Sequence, residues 1–228
     1  MSREVAIVPT GTANLASVAA AFRRLGAVPV VVEDAAQLAR ASHVMLPGVG
    51  AFGASLERLD ALGLASALRE RIAADLPTIA ICVGHQLLFE ASEESPGAAG
   101  LGVVAGTVTR FPAGIRVPQF GWNEIQAGEG CRLLESGYAY FANSYRATAA
   151  PGWHVALAEH GGPFVAGMER GRVIGCQFHP ESRVTMVQPC CRAFWSSADA
   201  HEADHPLPRR QPRPGGQGRA LPGAPGCR

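Results

Sequence analysis

The sequence predicts an α/β fold: a central, mostly parallel sheet with helices on both faces and antiparallel strands added to it. Two observations carry that expectation. From residue 4 to about 90, short β-branched apolar runs alternate with helical patterns, as in parallel strands joined by crossover helices. From about 103 to 178 the pattern changes to short, often alternating segments with Gly or Asn at the bends, as in antiparallel hairpins. A third observation bounds both: 228 residues, 47% hydrophobic, bury one sizeable core and suit one domain plus a tail.

The elements follow in order. EVAIVP (4–9) is a strand, and the TGTAN after it is turn chemistry. Asn14 is the expected N-cap of the helix LASVAAAFRRLG, with Gly26 closing it. VPVVVE (28–33) is a second strand, DAAQLARA (34–41) a short helix and HVML (43–46) a third strand cut by Pro47-Gly48. The leucines of SLERLDALGLASALRERIAAD (55–75) sit at amphipathic helical spacing, broken at Gly63. TIAIC (78–82) is a fourth strand, followed by a helix from about Gly84 to Glu90. VVAGTVTRF, GWNEIQ, YAYFANSYRA, HVALAEH and FVAGMERGRVIGCQF are the later strands, expected to extend the same sheet. From about Asp199 the chain turns to Pro, Arg and Gly, which cannot build a core and predicts disorder.

Composition excludes several classes of function. A net charge of +1 makes no electrostatic case for nucleic acid or an anionic membrane. No apolar run approaches the ~20 residues of a membrane span, and the N-terminal apolar stretch is too short for a secretory signal. The six cysteines (82, 131, 176, 190, 191 and 227) form no C-x-x-C pair at zinc spacing. A cytoplasmic protein with free thiols and no bound metal is the expectation.

The chemistry centres on Cys82. A buried strand that runs into A-I-C-V-G and then a helix has the layout of a nucleophile elbow, with Gly84 letting the backbone pass closely. Free N–H groups at the start of the following helix favour thiolate over thiol and are placed to hold an oxyanion. The alternative is a small buried apolar cysteine, the commoner fate of that residue. His179 and Glu181 lie two apart on an extended stretch and so project to one face, a base beside an orienting carboxylate. Their alternative is a solvated turn with an incidental ion pair. The glycine-rich turn LPGVGAFG (46–53) can bring main-chain N–H groups against an oxyanion; it matches neither a P-loop nor G-x-G-x-x-G.

Together these stretches resemble the class I, triad-type glutamine amidotransferases. The elbow G-x-C-x-G-x-Q of that family appears here as A-I-C-V-G-H-Q (80–86), with F-H-P-E at 178–181. P-G-V-G (47–50), T-G-T-A-N-L-A-S-V (10–18), Q-F-G-W-N (119–123) and Y-F-A-N-S-Y (140–145) resemble one branch, the glutaminase subunits of imidazole glycerol phosphate synthase. The resemblance spans residues 4–181 and implies a flavodoxin-like fold. It implies Cys82 as nucleophile, His179 as general base and acid, and Glu181 as the group orienting His179. The oxyanion would meet the backbone N–H groups of Val83 and, after a peptide rearrangement, Val49. Gly50, Gln86 and the backbone of Ser144 and Tyr145 would hold substrate glutamine, with Glu94 a candidate for its α-ammonium group.

Two departures stand out. Ala80 replaces the usual Gly beneath the elbow, and His85 replaces a common Met one turn from the nucleophile. His85 is thereby a rival base, as in stand-alone cysteine hydrolases that place the His just after the cysteine. Other glutaminases, serving pyridoxal phosphate, anthranilate or purine synthesis, are further rivals; the first usually reads G-G-E-S where this chain has P-G-V-G. A non-catalytic relative is disfavoured by the intact Cys, His and Glu.

The implied reaction needs no cofactor: glutamine is hydrolysed through a cysteine thioester, and the ammonia passes to a second active site. Too little chain follows Glu181 to build that site, so the resemblance implies a separate (β/α)₈-barrel cyclase as heterodimeric partner. Trp122 and Tyr145 are the interface candidates, against ordinary core packing.

In the family, H-P-E leads into S-G-x-x-G-x-x-L-L and a closing helix. Here S-R-V-T-M-V-Q-P-C-C follows, with Pro189 where that helix should run. We expect a one-base frameshift beside codon 182. ATG-GTN for Met186-Val187 contains GGT for Gly in the shifted frame, and Cys190-Cys191 must give Leu there. Residues 1–195 are then the amidotransferase domain and 196–228 a disordered tail, with the closing helix lost and apolar sheet surface left uncovered.

Overall fold

The structure, a computed structural model, describes residues 4–11, 15–180 and 194. In chain order its elements are β1 (Glu4–Ile7), α1 (Leu15–Arg24), β2 (Val28–Val31), α2 (Ala35–Arg40), β3 (His43–Leu46), α3 (Phe52–Ala61), α4 (Leu64–Ala73), β4 (Thr78–Ile81), α5 (Val83–Gln86), β5 (Phe89–Ser92), β6 (Val104–Arg110), β7 (Gln119–Ala127), β8 (Gly137–Asn143), β9 (Tyr145–Arg146), β10 (His154–Glu159), β11 (Pro163–Arg170) and β12 (Val173–Cys176).

Nine of these strands form one sheet in the order β2-β1-β3-β4-β12-β11-β10-β7-β8. The first five are mutually parallel, and β11, β10, β7 and β8 continue the sheet antiparallel. β12 joins the two halves, parallel to β4 on one side and antiparallel to β11 on the other. Its position follows from composition: β3, β4 and β12 are buried at every residue, as strands covered on both faces must be. The β4–β12 register pairs Ile81 with Cys176. Residues nearly a hundred apart in sequence therefore leave the sheet side by side at the same end.

Local chemistry sets the element limits. Asp34 caps α2, its carboxylate accepting the Gln37 N–H at 2.7 Å. Gly63, at φ 65°, separates α3 from α4 as the sequence predicts. Asn14, the expected cap of α1, lies outside the described residues. At the sheet edge, Val32 N–H donates to the Ile7 carbonyl at 3.0 Å. By alternation the nitrogen of Pro29 faces away from β1, so its missing N–H costs no ladder bond. Arg71 on α4 is buried and donates to the carbonyls of Ala41, Ser42 and Pro77 at 2.7, 2.9 and 3.0 Å. That guanidinium, pushed down to about 10 by burial and then by Arg172, ties α4 to the starts of β3 and β4.

Three expectations need correction. The helix predicted over 84–90 is a single turn, α5, and Phe89–Ser92 is strand β5. The competing force is main-chain pairing: the carbonyls of Leu87, Leu88, Phe89 and Glu90 accept N–H groups from residues 100–104 instead of continuing a helix. Secondly, not all later strands join the main sheet, because β5, β6 and β9 form a separate three-stranded sheet. Thirdly, the sheet is not wholly uncovered after residue 182. Phe194 is fully buried, its ring edge-on to His43 at 5.1 Å and to Phe22 at 6.2 Å. An aromatic ring of that size gains enough from burial to cover this part of the sheet. The rest of the predicted tail lies outside the described residues.

Candidate active site

Cys82 ends β4 at φ 53° and ψ −111°, in a region that side-chain-bearing residues rarely adopt. Two glycines permit the turn. A Cβ on Gly84 would lie 2.1 Å from the Leu46 carbonyl oxygen, and one on Gly48 would lie 2.3 Å from the Gly84 nitrogen. The turn after β3 and the elbow after β4 thus pack backbone against backbone. The Cys82 N–H donates to the Cys176 carbonyl at 2.7 Å, which fastens the elbow to β12. Cys82 itself is 4% exposed.

One contact joins the Val83 N–H to the peptide that carries the other candidate oxyanion donor, Val49 N–H. Val83 N–H donates to the Gly48 carbonyl at 3.3 Å. A trans peptide sets its C=O and N–H on opposite sides, so the Gly48–Val49 unit presents its oxygen to Val83 and turns the Val49 N–H away. Gly50 follows at φ 105° and is exposed. Beyond it, Phe52 N–H donates to a Glu94 carboxylate oxygen at 2.7 Å and Gly53 N–H to Ser95 Oγ at 2.9 Å. Glu94 therefore caps α3 from the far segment SEESPG and stands beside the glycine turn.

His179 leaves β12 three residues beyond Cys176, at the sheet end where Cys82 leaves β4. It is partly buried, and its N–H donates to the Tyr140 carbonyl at 2.9 Å. Glu181 lies outside the described residues. Gln86 Nε2 donates to the Tyr145 carbonyl at 3.3 Å and to Gln177 Oε1 at 2.9 Å. Asn143 Nδ2 reaches the same Tyr145 carbonyl at 2.9 Å. The Ser144 carbonyl accepts Phe111 N–H at 3.2 Å. Gln86, Ser144 and Tyr145 are thus brought together, whereas the Tyr145 side chain packs against the core and does not join Trp122 at the surface.

His85 points elsewhere. It is fully buried, edge-on to Phe89 at 5.5 Å, and a Cβ on Gly175 would lie 2.6 Å from its Nδ1. Neither ring nitrogen has a hydrogen-bond partner among the described residues. Burial pushes its pKa down to about 3, so the ring is neutral and packs as core.

One residue of the cluster escaped the sequence reading. Gln177 is fully buried, and its Nε2 lies 3.8 Å from Cys82 Sγ. The signal was available, since the two-residue period that aligns 179 with 181 also aligns 177 with 179. Among the described residues, no group of three or more His, Cys, Asp or Glu side chains is arranged to hold a metal ion, and no helix is long and apolar enough to cross a membrane.

On the β7–β8 hairpin Phe120, Trp122 and Tyr138 are 70%, 44% and 54% exposed. The rings of Phe120 and Trp122 each meet Tyr140 edge-on at 5.6 Å. Beside them a cavity of about 280 Å³ is lined by Arg116, Gln119, Phe120, Trp122 and His160, among others.

Comparison with known proteins identifies the family. The sequence profile of the family described as "Glutamine amidotransferase class-I" matches residues 7–190. The "Imidazole glycerol phosphate synthase subunit HisH" of Methanopyrus kandleri is 43% identical over 182 residues, covering 78% of this chain and 90% of that protein. The "Imidazole glycerol phosphate synthase hisHF, chloroplastic" of Arabidopsis thaliana is 38% identical over 185 residues, covering 78% of this chain and 31% of that protein. Among solved structures, one titled "Crystal structure of glutamine amidotransferase" superposes with a TM-score of 0.68 at 22% identity, covering 86% of this chain and 98% of the other.

Proposed function

Because this chain belongs to the class-I glutamine amidotransferase family, among the HisH subunits of imidazole glycerol phosphate synthase, we propose Cys82 as the residue through which it hydrolyses glutamine. The observation that carries the assignment is the strained Cys82 backbone, fastened to β12, the strand that leads to His179. Strain of that kind persists only where surrounding structure imposes it, and it clusters at reacting residues.

The Cys82 thiol gives its proton to His179 as the sulfur attacks the side-chain amide carbon of glutamine, forming a tetrahedral oxyanion. The C–N bond breaks as His179 gives its proton to the leaving nitrogen, and ammonia departs from a γ-glutamyl thioester. Water then loses a proton to His179 and attacks the thioester; glutamate leaves and the thiol is restored. Glu181 orients His179. Gly50, Gln86, the Ser144–Tyr145 backbone and Glu94 hold the substrate. The oxyanion meets Val83 N–H and, once the Gly48–Val49 peptide turns over, Val49 N–H. The hydrogen bond from Val83 to the Gly48 carbonyl supports that order of events, since it occupies the donor until the peptide moves.

Ammonia released into neutral water becomes ammonium, which is no nucleophile. We infer that it passes directly to a (β/α)₈-barrel cyclase subunit, in the cytoplasm, where imidazole glycerol phosphate and an aminoimidazole carboxamide ribotide are made. The matched segment of the Arabidopsis protein named hisHF is only 31% of a longer chain, which supports a partnership with a second protein unit. The exposed aromatics around Trp122 are the proposed docking surface. Residues 1–195 are the proposed amidotransferase domain and 196–228 a tail outside it.

A glutaminase assay with and without the cyclase subunit tests the reading. Cys82→Ser should abolish glutamine-dependent synthesis while ammonia-dependent synthesis by the partner persists. Near wild-type glutamine turnover in that variant would sink the assignment. Hydrolysis should also rise when the partner binds its nucleotide; equal rates with and without it would rule out the peptide rearrangement.

A further inference from the structure

The chain of amides behind the nucleophile has a fixed polarity. It starts at the Tyr145 carbonyl, which can only accept. Gln86 must therefore present Nε2 to it, at 3.3 Å, and the same Nε2 spends its second hydrogen on Gln177 Oε1 at 2.9 Å. With its oxygen so engaged, Gln177 can only turn Nε2 toward Cys82 Sγ, at 3.8 Å. Flipping either amide would set oxygen against oxygen or nitrogen against nitrogen in a fully buried site. We propose that Gln177 is a hydrogen-bond donor to the nucleophile: it donates to the Cys82 sulfur when that sulfur carries negative charge, and couples that sulfur to the glutamine-contact residue Gln86.

A long helix after Cys82 would itself favour negative charge on the sulfur at its N-terminus. The actual α5 has only four residues, too few to supply much dipole, and one nearby backbone donor, Val83 N–H, is held by Gly48. An N–H donor in a buried site favours a charged sulfur over a neutral one, because the anion is the better acceptor. Coupling follows from the shared amide. A substrate that draws Gln86 away from Tyr145 or Gln177 changes how firmly Gln177 is aimed at sulfur, so occupancy of the glutamine site reaches the nucleophile through two side chains.

This inference rests on Cys82 being the nucleophile, and its test is separable from that premise. In the full chain, alkylation of Cys82 by iodoacetamide is followed against pH by mass spectrometry of the Cys82 peptide, and turnover is measured with the cyclase subunit present. Gln177→Met removes the donor at similar volume, and Gln177→Glu places a carboxylate against sulfur. The alkylation midpoint should rise in Gln177→Met and rise further in Gln177→Glu. Glutamine-dependent kcat should fall about tenfold or more, with ammonia-dependent synthesis unchanged. A merely structural role would not order the two variants this way. Wild-type midpoints in folded Gln177→Met would overturn the proposal, whatever Cys82→Ser does to turnover. Should neither variant fold, ¹⁵N-labelled wild-type chain decides. One glutamine side-chain amide should shift with the Cys82 alkylation midpoint and stop shifting in Cys82→Ser; absence of such a resonance overturns the proposal too.

Discussion

At the scale of single residues, His85 and Gln177 show how differently two buried polar side chains behave beside one cysteine. Gln177 is bonded at both ends of its amide, whereas both ring nitrogens of His85 lack partners among the described residues. Burying such groups without compensation costs about 1–3 kcal/mol. Burial lowers the His85 pKa from 6.5 to about 3. The folded chain therefore stays unprotonated there while the unfolded chain binds a proton below pH 6.5. The associated stability is fully present above that pH and drains away as pH falls toward 3, by roughly 2 kcal/mol at pH 5. Met fills a similar volume, needs no hydrogen bond and keeps a favourable contact with the Phe89 ring. His85→Met should raise the melting temperature at pH 7 and flatten its decline between pH 6.5 and 4.5, with glutaminase activity retained. Loss of that activity in a folded variant would restore His85 as a candidate base.

At the scale of elements, the β7–β8 hairpin joins surface to site. Trp122 and Tyr140 are cross-strand partners, and Phe120 packs on the same Tyr140 ring. The Tyr140 carbonyl accepts the His179 N–H at 2.9 Å. A partner that presses on this aromatic cluster thus bears on the strand that positions the proposed base. Large exposed aromatics beside a groove are what hot spots are made from. Phe120→Ala with Trp122→Ala should leave melting temperature and Cys82 alkylation nearly unchanged, since both rings are exposed. Affinity for the cyclase should fall by at least about 2 kcal/mol, and stimulation of glutaminase activity should go with it. Unchanged titration with the partner would remove the hairpin from the interface. Elements of this kind were legible in sequence to different degrees. The limits of β3 and the break at Gly63 come from local chemistry and read directly. The shortness of α5 does not, because residues 100–104 capture its carbonyls, and no local pattern announces that pairing. Of the two expectations for Tyr145, the ring as a surface anchor fails because it packs against the core, while its carbonyl accepts from Gln86 and Asn143. Gln177 was passed over because an amide between two hydrophobic residues looks like ordinary strand sequence.

For the whole molecule, the question is where the folded unit ends. The family match stops at residue 190, yet Phe194 sits wholly inside the core between Phe22 of α1 and His43 of β3. β3 is buried at every residue and β1 at all but Glu4, so whatever covers the β1–β3 region contributes to global stability and not to a local patch. Removing a buried Phe ring costs about 3–5 kcal/mol. In a domain near 200 residues, 3 kcal/mol corresponds to a fall of roughly 6–12 °C in melting temperature. Phe194→Ala should show that loss in a thermal scan of the full chain. A chain that stops after residue 195 should melt with the full-length protein and keep its partner-dependent glutaminase, because residues 196–228 are a Pro/Arg/Gly-rich stretch unsuited to core packing. A chain that stops after residue 193 should instead melt like Phe194→Ala or lower. If the 195 truncation is itself destabilised by several degrees, the tail belongs to the folded unit and the boundary must move toward the C-terminus. If Phe194→Ala melts like wild type, the sheet is closed without that ring, and the domain ends nearer the limit of the family match.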